Sequence, residues 1–278
     1  MKRDWLLQGV PRITATVLLT VVLLACSTVV NAAEEKPGDR WRFTIAPFLW
    51  LPAISGTTKL DAPSGLGNAP LDYRVTPSDY LGNLRFAGML DMQAQKGMWS
   101  IQADVIYLNF KNDDRAVHFP GALPGSGGFT LGLDTDVQIW IFQVLGGYSV
   151  FHNALLDFNV LAGARYAGID AKADLSIVGP VPGLTGYREF SRTEYYVDPI
   201  VGFRGKFELG KNWFLPYYFD IGGFSVDSDW TLQAYTAIGY RFTHWFSMEL
   251  GYRYLYYDFG DNKDLNAYGA MFGFRFTF

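Results

Sequence analysis

The stretch Leu265-Asn-Ala-Tyr-Gly-Ala-Met-Phe-Gly-Phe-Arg-Phe-Thr-Phe278 ends the sequence and decides its fold. From Tyr268 onward every second residue is apolar or aromatic: Tyr268, Ala270, Phe272, Phe274, Phe276 and Phe278. The residues between are mostly small or polar, Arg275 among them. A period of two marks a strand with one greasy face and one wet face. An aromatic at the very end, with no polar tail behind it, fits a strand that closes a sheet whose outer face is apolar. Phe274, Phe276 and Phe278 are read as its assembly signal.

Composition agrees. Aromatics make up 17% of the 278 residues, 30 are glycine, and mean hydropathy is +0.06. A helical membrane protein of this length would carry several apolar runs of about 20 residues. This chain has one, at its N-terminus. Barrels instead alternate apolar and polar residues, so their hydropathy averages out. The formal charge of −4 gives no reason to expect nucleic acid as a partner. Cys26 is the lone cysteine, so no internal disulfide is available.

Lys2, Arg3 and Arg12 precede and flank an apolar run, Ile13 to Ala25, and Val30-Asn31-Ala32 supplies small residues for a peptidase. Residues 1–32 are read as a signal peptide and 33–39 as a short periplasmic leader, leaving the barrel to 40–278. Two alternatives stay open: lipidation of Cys26 in Leu23-Leu24-Ala25-Cys26, and an uncleaved anchor helix. Removing residues 1–32 takes three basic residues and one acid, moving the formal charge to −6.

Ten alternating segments follow: 41–51, 84–95, 98–110, 129–148, 155–169, 193–209, 213–224, 230–242, 245–257 and 265–278. Pro47 and Pro199, which cannot donate a ladder hydrogen bond, predict bulges. Connections alternate between short turns (Lys96-Gly97, and around His152, Lys211 and His244) and longer ones. The longest are 52–83, 111–128 and 170–192, with a possible extra strand or hairpin at 71–76. Short periplasmic turns, longer outer loops and an even strand number put both termini in the periplasm. The expected fold is all-β, a single ten-stranded antiparallel transmembrane barrel, with eight or twelve strands as alternatives.

Over nearly the whole mature chain the sequence resembles a large, mostly uncharacterised family of bacterial outer-membrane barrels, OmpA-like or porin-like in kind. The matching pieces are Phe48-Leu49-Trp50-Leu51-Pro52 with Ile54-Ser55-Gly56, Leu84 to Met89, Asp198 to Arg204, Asp220 to Phe224, Gly251 to Leu255, and the terminal Phe278. The resemblance implies outer-membrane location and a single barrel, and it transfers no catalytic residue.

Alternation assigns an inner face bearing eight cations (Arg42, Arg85, Arg165, Arg204, Lys206, Arg241, Arg253, Arg275) and nine acids (Asp91, Asp104, Asp134, Asp136, Asp157, Asp198, Glu208, Asp220, Glu249). Near balance argues against a strongly ion-selective field. Arginines reaching across a narrow lumen to carboxylates predict a structural ion-pair plug or a constricted pore for small solutes, since an unpaired buried charge costs ~3–5 kcal/mol.

No group of His, Cys and carboxylates has metal-ligand spacing, no serine has a plausible His partner, and no cofactor is expected. His118 with Asp113 and Asp114 is the one set that suggests hydrolysis at an outer loop. The expected protein is not an enzyme; surface recognition or adhesion through the long loops is the alternative. The expected partners are outer-membrane lipid and lipopolysaccharide, and the barrel-assembly machinery during biogenesis. Trp41, Trp99, Trp213, Trp230, Tyr107, Tyr240 and Tyr254 near strand ends are read as interfacial girdles.

Overall fold

The fold is seen in a computed structural model that describes residues 40–59, 70–119, 129–178, 186–260 and 263–278, without the side chains of 58–59, 70–73, 112–119, 129–135, 171, 173–178, 186–190 and 192. The expected signal peptide and leader, with Cys26, lie outside these residues.

Eleven strands form among the described residues. They are β1 (Arg42–Lys59), β2 (Pro70–Val75), β3 (Leu84–Lys96), β4 (Trp99–Phe119), β5 (Phe129–His152), β6 (Leu156–Val178), β7 (Gly186–Glu208), β8 (Trp213–Gly223), β9 (Trp230–Arg241), β10 (Phe246–Asp258) and β11 (Asp264–Thr277). Ten of them make a closed antiparallel meander, β1 pairing with β3 on one side and β11 on the other. Closure joins the first and last strands of the sheet, which lipid requires, although β1 and β3 pair only from Arg42–Gln95 to Pro47–Leu90. The seam is fastened by reciprocal backbone bonds: Phe43 N–H donates to the Phe278 carbonyl at 3.0 Å, and Phe278 N–H to that of Phe43 at 2.8 Å. The strand β2 pairs with residues 54–59 of β1 alone, a hairpin projecting above the wall.

The outward face is apolar. Ile101, Phe142, Val160, Val201, Ile238 and Leu250 are exposed between two rings of aromatics. Toward the termini stand Trp41, Trp99 against Tyr148 (4.9 Å) and Trp213 against Tyr240 (4.8 Å). Toward the other end Tyr107 packs on Trp140 at 4.1 Å. An apolar ring with a polar tip suits the two membrane interfaces.

Two expected loops are largely strand. The segments 111–119 and 170–178 continue β4 and β6, and 186–192 opens β7, so β4 to β7 run 21 to 24 residues. A membrane crossing needs about 9–11. Beyond the bilayer a strand has no lipid face, so its sequence loses the alternation while the backbone ladder continues. Asp113, Asp114 and His118 therefore belong to β4, next to or beyond an irregularity between Asn112 and Arg115. Their side chains lie outside the described residues.

Neither proline makes a bulge. Pro47 falls where the β1–β11 ladder skips from Ile45–Phe276 to Phe48–Gly273 without a register shift, and Pro199 sits where pairing of β7 with β8 ends. Each proline is thereby spared a missing ladder bond.

Between β2 and β3 a short helix, α1 (Pro77–Tyr80), is held by Asp79, whose Oδ2 accepts from Thr76 N–H (2.7 Å) and Thr76 Oγ1 (2.6 Å). These bonds favour the ionised carboxylate and lower its pKa. A carboxyl lowered on folding adds stability that is complete above its unfolded value of about 3.9 and fades as pH falls through the folded one. A carboxyl chemical-shift titration is expected to place Asp79 below ordinary aspartates, and Thr76→Ala to move it back up; an unshifted Asp79 would refute the cap. At the end of α1, Tyr80 donates to the Pro52 carbonyl at 2.9 Å and packs edge-on against Phe110 at 5.3 Å. Burial pushes its phenol up to about 12, so it remains a neutral donor.

Candidate functional site

The lumen is built in three layers, each set by the inward residues of successive strands. At the end carrying the termini, inward polar residues line an open vestibule of about 410 Å³. Arg42, Thr243, His244 and Thr277 stand at its mouth, and Asp91, Gln102, Arg204, Glu249 and Arg275 deeper in. Arg275 Nε donates to Glu249 Oε1 at 2.6 Å, and Tyr235 OH to Oε2 at 2.7 Å. At the rim Lys206 and Arg241 share Glu208, at 2.9 and 3.0 Å.

Above the vestibule lies an ionic belt. Arg253 grips Asp104 with both Nη atoms (2.9 and 3.1 Å), reaches Gln233 Oε1 at 3.0 Å, and lies 5.4 Å from the Trp50 ring and 5.5 Å from that of Phe48. Arg165 and Asp220, both with 0% exposure, form the second pair. Arg165 also donates to Gln143 Oε1 and Thr231 Oγ1, each at 3.1 Å, and Tyr218 OH donates to Asp220 at 2.5 Å. Both Asp198 oxygens are taken by Ser228, from its N–H (2.9 Å) and its hydroxyl (2.8 Å), which ties the β8–β9 turn to the wall. Asp198 and Asp220 both have 0% exposure.

The third layer was not expected. Trp50, Ile106, Leu108, Ile141, Leu255, Tyr257 and Ala267 are buried together inside the barrel above the belt. Tyr257 stacks on Phe259 (5.3 Å), and Phe259 meets Tyr196 at a tilt (4.4 Å). This plug reverses the expected register of β5: Ile139 and Ile141 face inward and Trp140 and Phe142 outward. With both faces apolar, alternation could not say which was which.

Two of the expected lumen charges, Asp136 and Arg85, lie elsewhere, and a third, Asp134, is not placed by its side chain. Asp136 shares the outward face of β5 with Trp140 and is flanked across the ladder by Lys111 and Lys172. Asp134 falls in β5, but its side chain lies outside the described residues. Arg85 is exposed where the β3–β4 register shifts between Leu84 and Phe86. The remainder, seven cations and seven acids, hold inward positions, and the inner polar faces of β6 to β11 stand as alternation placed them.

Sequence reasoning missed the neutral partners Gln102, Gln143, Gln233, Thr231, Tyr218 and Ser228, and the plug residue Trp50. The inward parity of Gln102, Gln233, Thr231, Tyr218 and Trp50 was readable, that of Gln143 was hidden by the inverted register of β5, and Ser228 lies in a turn. None of their roles was readable, because a neutral side chain gains importance only from which groups stand beside it. Of the other histidines, His152 Nδ1 is 3.5 Å from Asp157 at the β5–β6 turn, and His244 is exposed in the β9–β10 turn.

No protein-family model and no curated protein matches the chain. Solved structures do. The outer membrane protease OmpT of Escherichia coli is similar with a TM-score of 0.54 at 13% identity, over 88% of this chain and 99% of that one. The attachment invasion locus protein Ail of Yersinia pestis gives 0.34 at 11%, over 86% and 98%. The CymD monoaromatic hydrocarbon channel gives 0.33 at 10%, over 87% and 89%. The first of these establishes the architecture of a bacterial outer-membrane barrel and, with it, the location in the outer membrane. It also overturns the expectation of a protein that is not an enzyme, because a barrel of this build is a protease in Escherichia coli. At 13% identity the likeness extends to the fold and names no residue.

Proposed function

We propose that this outer-membrane barrel is closed to solutes and acts at its extracellular wall, as a recognition surface. The observation behind the reading is the mismatch between a filled lumen and four strands, β4 to β7, about twice the length the bilayer needs. A channel gains nothing from such an extension; a binding surface is made by it. Among the described residues the extension has two open edges: beyond Phe110, β4 pairs with β5 alone, and before Ile200, β7 pairs with β6 alone. Open edges present unpaired backbone donors and acceptors, which extended polypeptides can complete.

Two measurements test the reading. In planar bilayers the purified protein is expected to show no unitary conductance; sustained channel steps would sink the closed-lumen half. Glycan and protein arrays probed with the wild type, and with a variant whose residues 113–134 and 173–190 are replaced by short turns, test the other half. Ligands specific to the wild type are expected, and identical profiles would overturn it. Because the architecture is shared with a protease, the same proteins are assayed on peptide substrates. Turnover lost in His118→Ala would move the reading from recognition to hydrolysis at the same wall.

A further inference from the structure

In the vestibule the ion pairs leave out two deep-lying groups. Asp104, Glu208 and Glu249 each have an arginine or lysine within 3.0 Å. Arg204 and Asp91 line the same cavity, yet neither forms an ion pair among the described residues. Between them stands the neutral side chain of Gln102. Arg204 Nη1 donates to Gln102 Oε1 at 2.5 Å, and Gln102 Nε2 donates to Asp91 Oδ2 at 2.6 Å. Arg204 makes one more bond, from Nη2 to Ser100 Oγ at 3.3 Å. The amide orientation is fixed by its partners, since a guanidinium only donates and a carboxylate only accepts.

Both charged side chains are half-buried and face the cavity, and each holds a single neutral amide where an oppositely charged partner would add Coulomb attraction to the hydrogen bond and, at the arginine, a second parallel bond. Arg204 uses two of its donors, and the guanidinium fork suits a carboxylate. The amide of Gln102 offers its oxygen to the arginine and its nitrogen to the aspartate, the two atoms joined through one carbon. An α-amino acid carries a carboxylate and an ammonium in the same order, two carbons apart and fully charged. We infer that the vestibule is a periplasm-facing binding site for a small zwitterion of the α-amino-acid class, its carboxylate on Arg204 and its ammonium on Asp91, with Gln102 as the resident stand-in. The amides of Gln93 and Gln143 lie in the same cavity, which at about 410 Å³ has room for a small side chain.

The test is calorimetric titration of the full chain, purified in detergent, with glycine, and separately with acetate and with methylammonium. Glycine is expected to bind saturably and each half-molecule far more weakly. Arg204→Gln and Asp91→Asn each lose about tenfold in affinity or more. Gln102→Ala, which removes the stand-in, binds about threefold more tightly. Heat-modifiable mobility on detergent gels certifies that each variant is folded, and the isosteric Asp91→Asn serves should Arg204→Gln fail to assemble. The inference falls if neither wild type nor Gln102→Ala takes up glycine. It also falls if Asp91→Asn binds like wild type, or if acetate alone binds as tightly as glycine.

Discussion

Arg165→Met is expected to lower stability by about 3–5 kcal/mol, among the largest effects of any single side chain in the lumen. The guanidinium joins β6 to β5 through Gln143, to β8 through Asp220 and to β9 through Thr231. Removing it leaves Asp220, at 0% exposure, with Tyr218 as its remaining donor. Methionine fills much of the volume, so the loss reports the stranded carboxylate and not an empty space. In urea, where small proteins typically give a slope of about 1–3 kcal/mol per molar, the unfolding midpoint falls by at least about 1 M. The pair need not be worth that much in absolute terms, because two charges were desolvated to form it. Arg165→Met with Asp220→Asn is accordingly expected to recover most of the loss, and the double-mutant cycle gives the coupling. A single variant within about 1 kcal/mol of wild type would show that water or another donor replaces the arginine.

Gly202→Ala is the second large effect, at about 3 kcal/mol. Gly202 lies on the inner side of β7 opposite Asp220 on β8. A Cβ there would stand 2.2 Å from the Phe219 carbonyl oxygen and 2.8 Å from the Asp220 Cα. Both are backbone atoms and cannot rotate away, so the strands must part beside the belt's most buried pair. Gly82 is the control, for a Cβ added there meets nothing within 4 Å. The folded fraction, read as the heat-modifiable band, is expected to drop sharply for Gly202→Ala and to hold for Gly82→Ala. Equal behaviour of the two variants would show that β7 and β8 are not held so closely.

How much was legible follows from what lipid imposes. Tyr268 to Phe278 alternate because one face of β11 meets hydrocarbon and the other a polar lumen, and the same contrast marks β6 to β10. Where either side of that contrast disappears, the sequence falls silent. Residues 111–119 and 170–178 have no lipid face, so strand read as loop. Around Val137 to Phe142 the inner face is apolar too, so the register was inverted and Asp136 was placed inside. Arg85 was misplaced for another reason, a local register shift that a strict period of two cannot anticipate.

The sequence by itself determined a ten-stranded barrel, the polar inner faces of β6 to β11 and the outer-membrane location, because these follow from local alternation and loop length. Only the tertiary structure decided which charges meet. Arg253 and Asp104 are 149 positions apart, and Arg204 and Gln102 are 102 apart, brought together by closure of the wall. It alone decided that the lumen is layered, with an open vestibule below and an apolar plug above. Strand parity says that a side chain points inward; what it finds there depends on the strands across the barrel.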